Sequence, residues 1–255
     1  MRSERRATFG RAADLYERAR PGYPVELIDD VVALAELGPR SRVVEIGCGT
    51  GKATFPLAER GLRITCVELG ASLAAIAQEK LAHFPEVEIV NVDFETWRPD
   101  PADYDAVVAF TAFHWIPPEL RYPSVAAVLR EGGALAVAMV HHVVTEDSDT
   151  FFFEVQADYE TVGRGGEPPG PPEEVEDFGA EMEGSGLFRV VAERRYEWET
   201  EYTADAYVDV LGTYSNHLMQ EQETRERLFD LIHARIGDRT VRKSYLATLD
   251  VAVRI

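Results

Sequence analysis

The chain has 255 residues, 45% of them hydrophobic and 28% charged, which is the balance of a soluble globular protein. That length is one large domain, or one domain carrying an insertion, with enough chain for a proper core. A formal net charge of −19 argues against a nucleic-acid partner, whose binding is dominated by cationic contacts to phosphate.

The first 23 residues are basic, and a short helix is expected around 10–18, followed by a turn over Arg20-Pro21-Gly22-Tyr23-Pro24. The arginines near the start have no apolar run behind them, so no signal peptide is expected, and no stretch approaches membrane-spanning length. A cytoplasmic protein with no membrane partner is the resulting expectation. Residues 25–36 carry Leu27, Ile28, Val31, Val32 and Leu34 at helical spacing, closed by Gly38-Pro39.

The stretch 42–61 follows. Val43, Val44 and Ile46 form a buried strand, Gly47, Gly49 and Gly51 alternate through a turn, and Phe55, Leu57 and Ala58 begin a helix that stops at Gly61. Such a turn lets a ligand lie against backbone where no Cβ intrudes, beside the free amides of a helix start. Glu45, at the strand end, can accept hydrogen bonds or balance a positive ligand group; its alternative is a solvated carboxylate. The dinucleotide pattern G-x-G-x-x-G needs glycine at position 52, which is Lys52. The phosphate-loop pattern fails at Ile46 and at Ala53.

Residues 62–68 form a second strand ending in Glu68, with a helix through about residue 82 after it. Glu68 stands at the distance from the glycine turn at which a strand-tip carboxylate meets ribose hydroxyls, and it can accept from both. The alternative is a strand-end glutamate facing water. Residues 86–92 are a third strand, followed by Asp93-Phe94, and residues 103–110 a fourth with a continuous apolar end. Thr111 to Ile116 then leave the sheet, Pro117-Pro118 start a helix to about Arg130, Glu131-Gly132-Gly133 close it, and Ala134 to Val140 form a fifth strand ending at His141-His142. Five alternations at short spacing call for a parallel sheet with helices on both faces.

The character changes at residue 146. Residues 146–183 hold thirteen acidic residues and a single base, Arg164, with an aromatic cluster at Phe151, Phe152, Phe153 and Tyr159. A helix, a Gly/Pro-rich loop over 165–172 and a short helix over 173–183 are expected. A strand over 187–200, helices over 203–218 and 221–236, and a last strand over 243–254 complete the chain. Cys48 and Cys66 form no C-x-x-C and are expected as reduced thiols.

Glu45-Ile46-Gly47-Cys48-Gly49-Thr50-Gly51, Val67-Glu68-Leu69, Phe113-His114-Trp115-Ile116 and Val128 to Gly133 occur in this order, behind Tyr16 and Arg20-Pro21-Gly22-Tyr23-Pro24. In these residues the chain resembles the class I S-adenosylmethionine-dependent methyltransferases, and within them the small-molecule group of trans-aconitate and ubiquinone-biosynthesis methyltransferases. The resemblance implies an α/β, doubly wound, Rossmann-like seven-stranded sheet with the last strand antiparallel and helical lid insertions. It implies one methyltransferase domain over 1–255: an N-terminal helical cap (1–40), a cofactor-binding core (41–141), an acidic lid (142–186), and C-terminal strands (187–255) with a helical insertion at 203–236.

It also implies S-adenosylmethionine as cofactor, held by Glu45, Gly47, Gly49, Gly51, Glu68 and Leu69. Asp93 would face the adenine amino group and Phe94 pack on the ring; the alternative for Asp93 is a turn cap. Tyr16 and Arg20 would close over the cofactor, with Arg20 reaching its carboxylate or, alternatively, holding the N-terminal segment by surface contacts. Methyl transfer from a sulfonium is an in-line displacement, so the protein must chiefly align the acceptor and exclude water. His114 is the first choice for a base or orienting group; its alternative is a structural histidine. His142 and His217 rank behind it, Trp115 is expected in the core, and His141-His142 alone make no metal site. The acceptor is expected to be a small molecule. The competing expectation is a catalytically silent cofactor-binding or regulatory protein of the same fold. The oligomeric state is left open by the sequence.

Overall fold

A computed structural model describes residues 13–99, 102–165 and 167–255. The start of the expected helix at 10–18 lies outside these residues; its remainder is α1 (Ala13–Ala19). Next come α2 (Val25–Leu34), β1 (Arg42–Ile46), α3 (Thr54–Glu59), β2 (Arg63–Val67), α4 (Ala71–Lys80), β3 (Val87–Val90) and β4 (Tyr104–Phe110). A 3-10 turn (Phe113–Trp115), α5 (Pro118–Val128) and β5 (Leu129–His142) follow. The C-terminal part holds α6 (Phe151–Glu154), α7 (Gln156–Thr161), α8 (Gly179–Gly184), β6 (Phe188–Tyr202), α9 (Ala204–Leu211), α10 (Ser215–Leu218), α11 (Gln222–Ile236) and β7 (Val241–Arg254).

The seven strands form one sheet in the order β3-β2-β1-β4-β5-β7-β6. The first five are parallel, and β7 runs antiparallel to both β5 and β6. This is the expected Rossmann-like sheet with its last strand antiparallel. The near-continuous apolar runs of β1 and β4 are explained by burial on both faces. Val43 packs with Leu27, Val31, Leu57 and Ile64 under α2 and α3, while Val44 and Ile46 pack with Phe113, Tyr122 and Val125 under α5.

A third core, that of a C-terminal helical cap made by α6, α7, α9, α10 and α11, stands beside the C-terminal half of the sheet. Phe151 and Phe152 of α6 pack with Tyr207 and Leu211 of α9 and with Leu228 and Ile232 of α11. Buried Asp158 of α7 receives Arg235 of α11 through Nε at 2.5 Å and Nη2 at 2.8 Å. The acidic segment therefore does not pack as one piece. Its first helices join this cap core, whereas Met182 of α8 belongs to the sheet core with Phe188.

Three expected elements differ. The helix expected over 173–183 is a 3-10 turn at Pro172–Glu174 and, separately, α8. Arg195 draws the carbonyls of Pro172 and Val175 to its guanidinium, and the Phe178 amide donates to Asp250, so the Val175 carbonyl and the Phe178 amide are held by side chains across the stretch where a continuous helix was expected. The helix expected over 203–218 breaks at Gly212, where Arg20 takes the Thr213 carbonyl and hydroxyl. Residues Glu131–Gly133 do not close a helix but belong to β5, which shifts register against β4 between Tyr104 and Ala106; Gly132 sits there at φ +68°.

Candidate cofactor and acceptor site

The sheet order reverses beside β1, and that is where ligands bind in open α/β sheets. The carboxyl ends of β1 to β4 place Gly47, Glu68, Asp93 and Thr111 around one cavity of about 120 Å³. Gly49, Leu69, Phe94 and Tyr16 line it as well. The sequence-expected residues Gly47, Gly49, Glu68, Leu69, Asp93, Phe94 and Tyr16 are thus brought together from four separate segments.

The turn after β1 needs its glycines for different reasons. All three have positive φ. A Cβ on Gly47 would lie 2.8 Å from Ala112 Cβ, at the cavity wall. A Cβ on Gly51 would lie 2.8 Å from Leu81 Cδ1, and Gly51 lines neither this cavity nor the next. Gly51 therefore serves the packing of the turn on α4, and its expected contact with cofactor is not part of this geometry.

Glu68 is buried, and its two oxygens accept the amides of Gly49 at 2.9 Å and Gly70 at 2.7 Å. The same carboxylate thus locks the turn after β1 to the turn after β2. Asn91 donates to the carbonyls of Glu68 and Leu69, fixing that loop from below β3. Asp93 Oδ1 accepts the Glu95 amide at 3.1 Å, and Phe94 is buried against Trp97.

A second, narrower cavity continues from the first through Tyr16, Gly47, Phe110 and Thr111. Glu45 and Arg20 line it. Glu45 is fully buried; burial pushes its carboxyl up to about 7, with a Thr54 hydrogen bond opposing and the charge of Glu68 adding. Its Oε2 has no hydrogen-bond partner. The unfolded chain ionises this group near 4.5, so the native state holds an extra proton between that value and about 7. Stability therefore falls as pH rises through this window and levels off above it. Glu45→Gln, which needs no such proton, is expected to be more stable than the parent at pH 8 by ~3 kcal/mol, with the gap closing toward pH 4; urea unfolding at the two pH values measures this.

Several residues at the site carried no sequence signal. Lys52, which ruled out the dinucleotide pattern, donates to the Glu17 carbonyl at 2.7 Å, and Lys80 pairs with the Glu17 carboxylate at 2.8 Å. Together they clamp α1, and with it Tyr16, over the glycine turn. Thr111 adopts φ +54°, a costly conformation for a β-branched residue, and its amide donates to Ala138 at 2.7 Å. Strain of this kind marks the end of β4 as a site residue.

Arg20 lines the narrow cavity and extends into a third. Its Nε donates to Thr213 Oγ1 at 2.7 Å, and its guanidinium lies 4.0 Å from the Tyr214 ring centroid. His114 is placed elsewhere than expected. It lines a separate cavity with Arg121, His141 and His142, whereas Trp115, expected in the core, lines the first cavity. The 3-10 turn explains the exchange, since it rotates successive side chains by about 120°. Burial, followed by the charges of Arg121 and His141, lowers His114 to about 4. His142 and His217 both reach the third cavity, His217 with its ring held by Gln220 and Tyr159.

Cys48 and Cys66 are both free and buried. Among the described residues one group of potential metal ligands comes together, Asp177, Glu193 and Asp250, and Arg195 stands 3.9 Å from Asp177 as its counter-charge. No helix among the described residues is long and apolar enough to cross a membrane.

Comparison with known proteins agrees with this geometry. Residues 43–133 match the family model described as a methyltransferase domain. A Mycobacterium tuberculosis protein named an uncharacterized methyltransferase is 31% identical over 225 residues, covering 88% of this chain and 84% of its own length. The trans-aconitate 2-methyltransferase of Paracidovorax citrulli is 34% identical over 127 residues, 48% of this chain and 45% of its own. In three dimensions, an Anaeromyxobacter dehalogenans protein provisionally named a type II methyltransferase superposes with a TM-score of 0.62 over 91% of this chain and 97% of its own, at 23% identity. With the glycine turn after β1, carboxylates after β2 and β3, the seven-stranded order and a relative matched over 84% of its length in agreement, the chain belongs to the class I S-adenosylmethionine-dependent methyltransferases.

Proposed function

We propose that this chain transfers the methyl group of S-adenosylmethionine to a small-molecule acceptor. The convergence of Gly47, Glu68, Asp93 and Thr111, each just beyond its own strand, on a single cavity carries this reading. Glu68 would accept from the ribose hydroxyls, Asp93 from the adenine amino group, and Phe94 and Leu69 would pack on the ring. The backbone at Gly47 and Gly49 leaves room for the amino-acid arm, with Glu45 as the anionic partner of its cationic end and Arg20 as the partner of its carboxylate. Tyr16, on the clamped helix α1, would close the site against water.

The sulfonium supplies an activated leaving group, so the residues of this chain need only bind, align and dehydrate. Trp115, not His114, is the side chain of the 3-10 turn on the cofactor cavity, and no proton transfer is assigned to His114. The Paracidovorax citrulli relative, named for a small-molecule substrate, supports an acceptor of that size. Titration with S-adenosylhomocysteine is expected to give a calorimetric signal with a micromolar dissociation constant. Absence of heat at high micromolar ligand would sink the proposal.

A further inference from the structure

The charge of the third cavity runs against that of the whole chain. The chain carries 45 acidic and 26 basic residues. Yet this cavity, of about 540 Å³ between β5, β7 and the helical cap, is lined by Arg20, Arg164 and Lys243 against a single carboxylate, the exposed Glu167. It joins the narrow cavity through Arg20, Val140 and Tyr245. It therefore opens onto the part of the site proposed above for the amino-acid arm of the cofactor.

Lys243 is its unusual member. The residue is 1% exposed, near the start of β7. Its ammonium donates to the Tyr214 hydroxyl at 2.9 Å and lies 5.0–5.7 Å from the ring centroids of Tyr207, Tyr214 and Tyr245. Among the described residues no carboxylate pairs with Lys243, Arg20 or Arg164 within 4.0 Å. A buried cation without an anion is costly and is normally paired. Burial accordingly depresses the Lys243 ammonium, with Tyr214 opposing. The Tyr214 hydroxyl is lowered as well: burial resists this, but the Lys243 and Arg20 charges outweigh it. Burial, and then the Lys243 charge, lowers the neighbouring His142, whose Nε2 is buried without a hydrogen-bond partner. Phe152, Val155 and Leu211 give the cavity an apolar lining.

We propose that this cavity is the acceptor site and that Lys243, with Tyr214 beside it, anchors the carboxylate of an organic acid whose apolar body lies against Phe152, Val155 and Leu211. The assignment rests on the methyl-transfer reading only for the word acceptor; the anion site stands on its own geometry. A carboxylate completes the pair that Lys243 lacks, and the cap helices give the rest of the molecule a dry wall. Phosphate monoesters, bulkier at the head and more highly charged, fit a wall with one buried ammonium less well.

The test is a panel of four- to eight-carbon aliphatic and aromatic carboxylates, each matched with its amide, together with phosphate monoesters. Binding is measured by calorimetry with and without saturating S-adenosylhomocysteine. Acids are expected to bind about ten-fold or more tightly than their amides, as one charge-assisted contact provides. Lys243→Met should abolish that preference and leave S-adenosylhomocysteine binding unchanged. Equal binding of acids and amides, binding of neither, a preference for phosphate esters, or a preference that survives Lys243→Met overturns the proposal. The acid-against-amide comparison is made on the unaltered protein, so it decides even where Lys243→Met does not fold. S-adenosylhomocysteine titrated alone reports separately on the methyl-transfer reading.

Discussion

Glu68→Ala is expected to weaken S-adenosylhomocysteine binding by about 10- to 150-fold, equivalent to about 1.5–3 kcal/mol. Two losses add. The carboxylate that would grip the ribose is removed, and the amides of Gly49 and Gly70 lose their acceptor, which frees both turns that frame the cavity. The second loss predicts a signature that a purely ligand-contacting residue would lack: Glu68→Ala should also lower the melting temperature of the ligand-free protein. Glu68→Gln should fall between the two, because its amide oxygen can still satisfy one of the two N–H groups while its nitrogen faces the other. Calorimetry and thermal unfolding on the three proteins decide this, and an unchanged affinity in Glu68→Ala removes the residue from the site.

Gly47→Ala is expected to reduce cofactor affinity more than about 100-fold while costing about 1–3 kcal/mol of stability. At φ +64° any side chain strains the backbone, and the added methyl would lie 2.8 Å from Ala112 Cβ. Relief requires the chain after β4 to move, and that chain carries Thr111 and Trp115 into the cavity. Gly51→Ala is the informative comparison. Its strain is similar and its methyl meets Leu81, on the packing side of the turn. Stability should fall as far, whereas affinity should fall less. Equal affinity losses in the two variants would mean that the turn moves as one rigid piece.

How much of this was legible in the letters can be followed residue by residue. The strand–turn–helix at 42–61 was readable because its signals are local: an apolar run, backbone conformations that side chains disfavour, and a helical apolar spacing. Glu68 and Asp93 were readable because each directly follows a strand, and a parallel sheet delivers every strand's carboxyl end to the same edge. The helix expected over 173–183 was not found because Arg195 and Asp250 take backbone groups in and beside it, and both partners lie outside the segment. His114 and Trp115 exchanged places because the facing of a 3-10 turn depends on how its ends are docked, which adjacent letters do not encode.

Lys243 is the clearest case of a signal present but unused. In β7 it occupies the alternate positions of Val241, Tyr245 and Ala247, all buried. A lysine in the apolar phase of a strand is a sequence-level anomaly, because a flexible charged side chain rarely sits there without a partner. What the letters could not supply was the surroundings that make it chemistry: Tyr214 from the break after α9, Arg20 from the far end of the chain, and an absent carboxylate.

By itself, then, the sequence determined the class of fold, the cofactor edge and the residue types at each strand end, since these follow from local backbone preference and the period of hydrophobic burial. Tertiary structure decided the rest: that Gly51 packs while Gly47 faces the cavity, that Glu68 ties two turns together, and that three cations from segments at residues 20, 164 and 243 meet in one cavity of an acidic protein. Contacts between such remote segments depend on how layers dock, and docking is set by the summed packing of many side chains rather than by any short stretch.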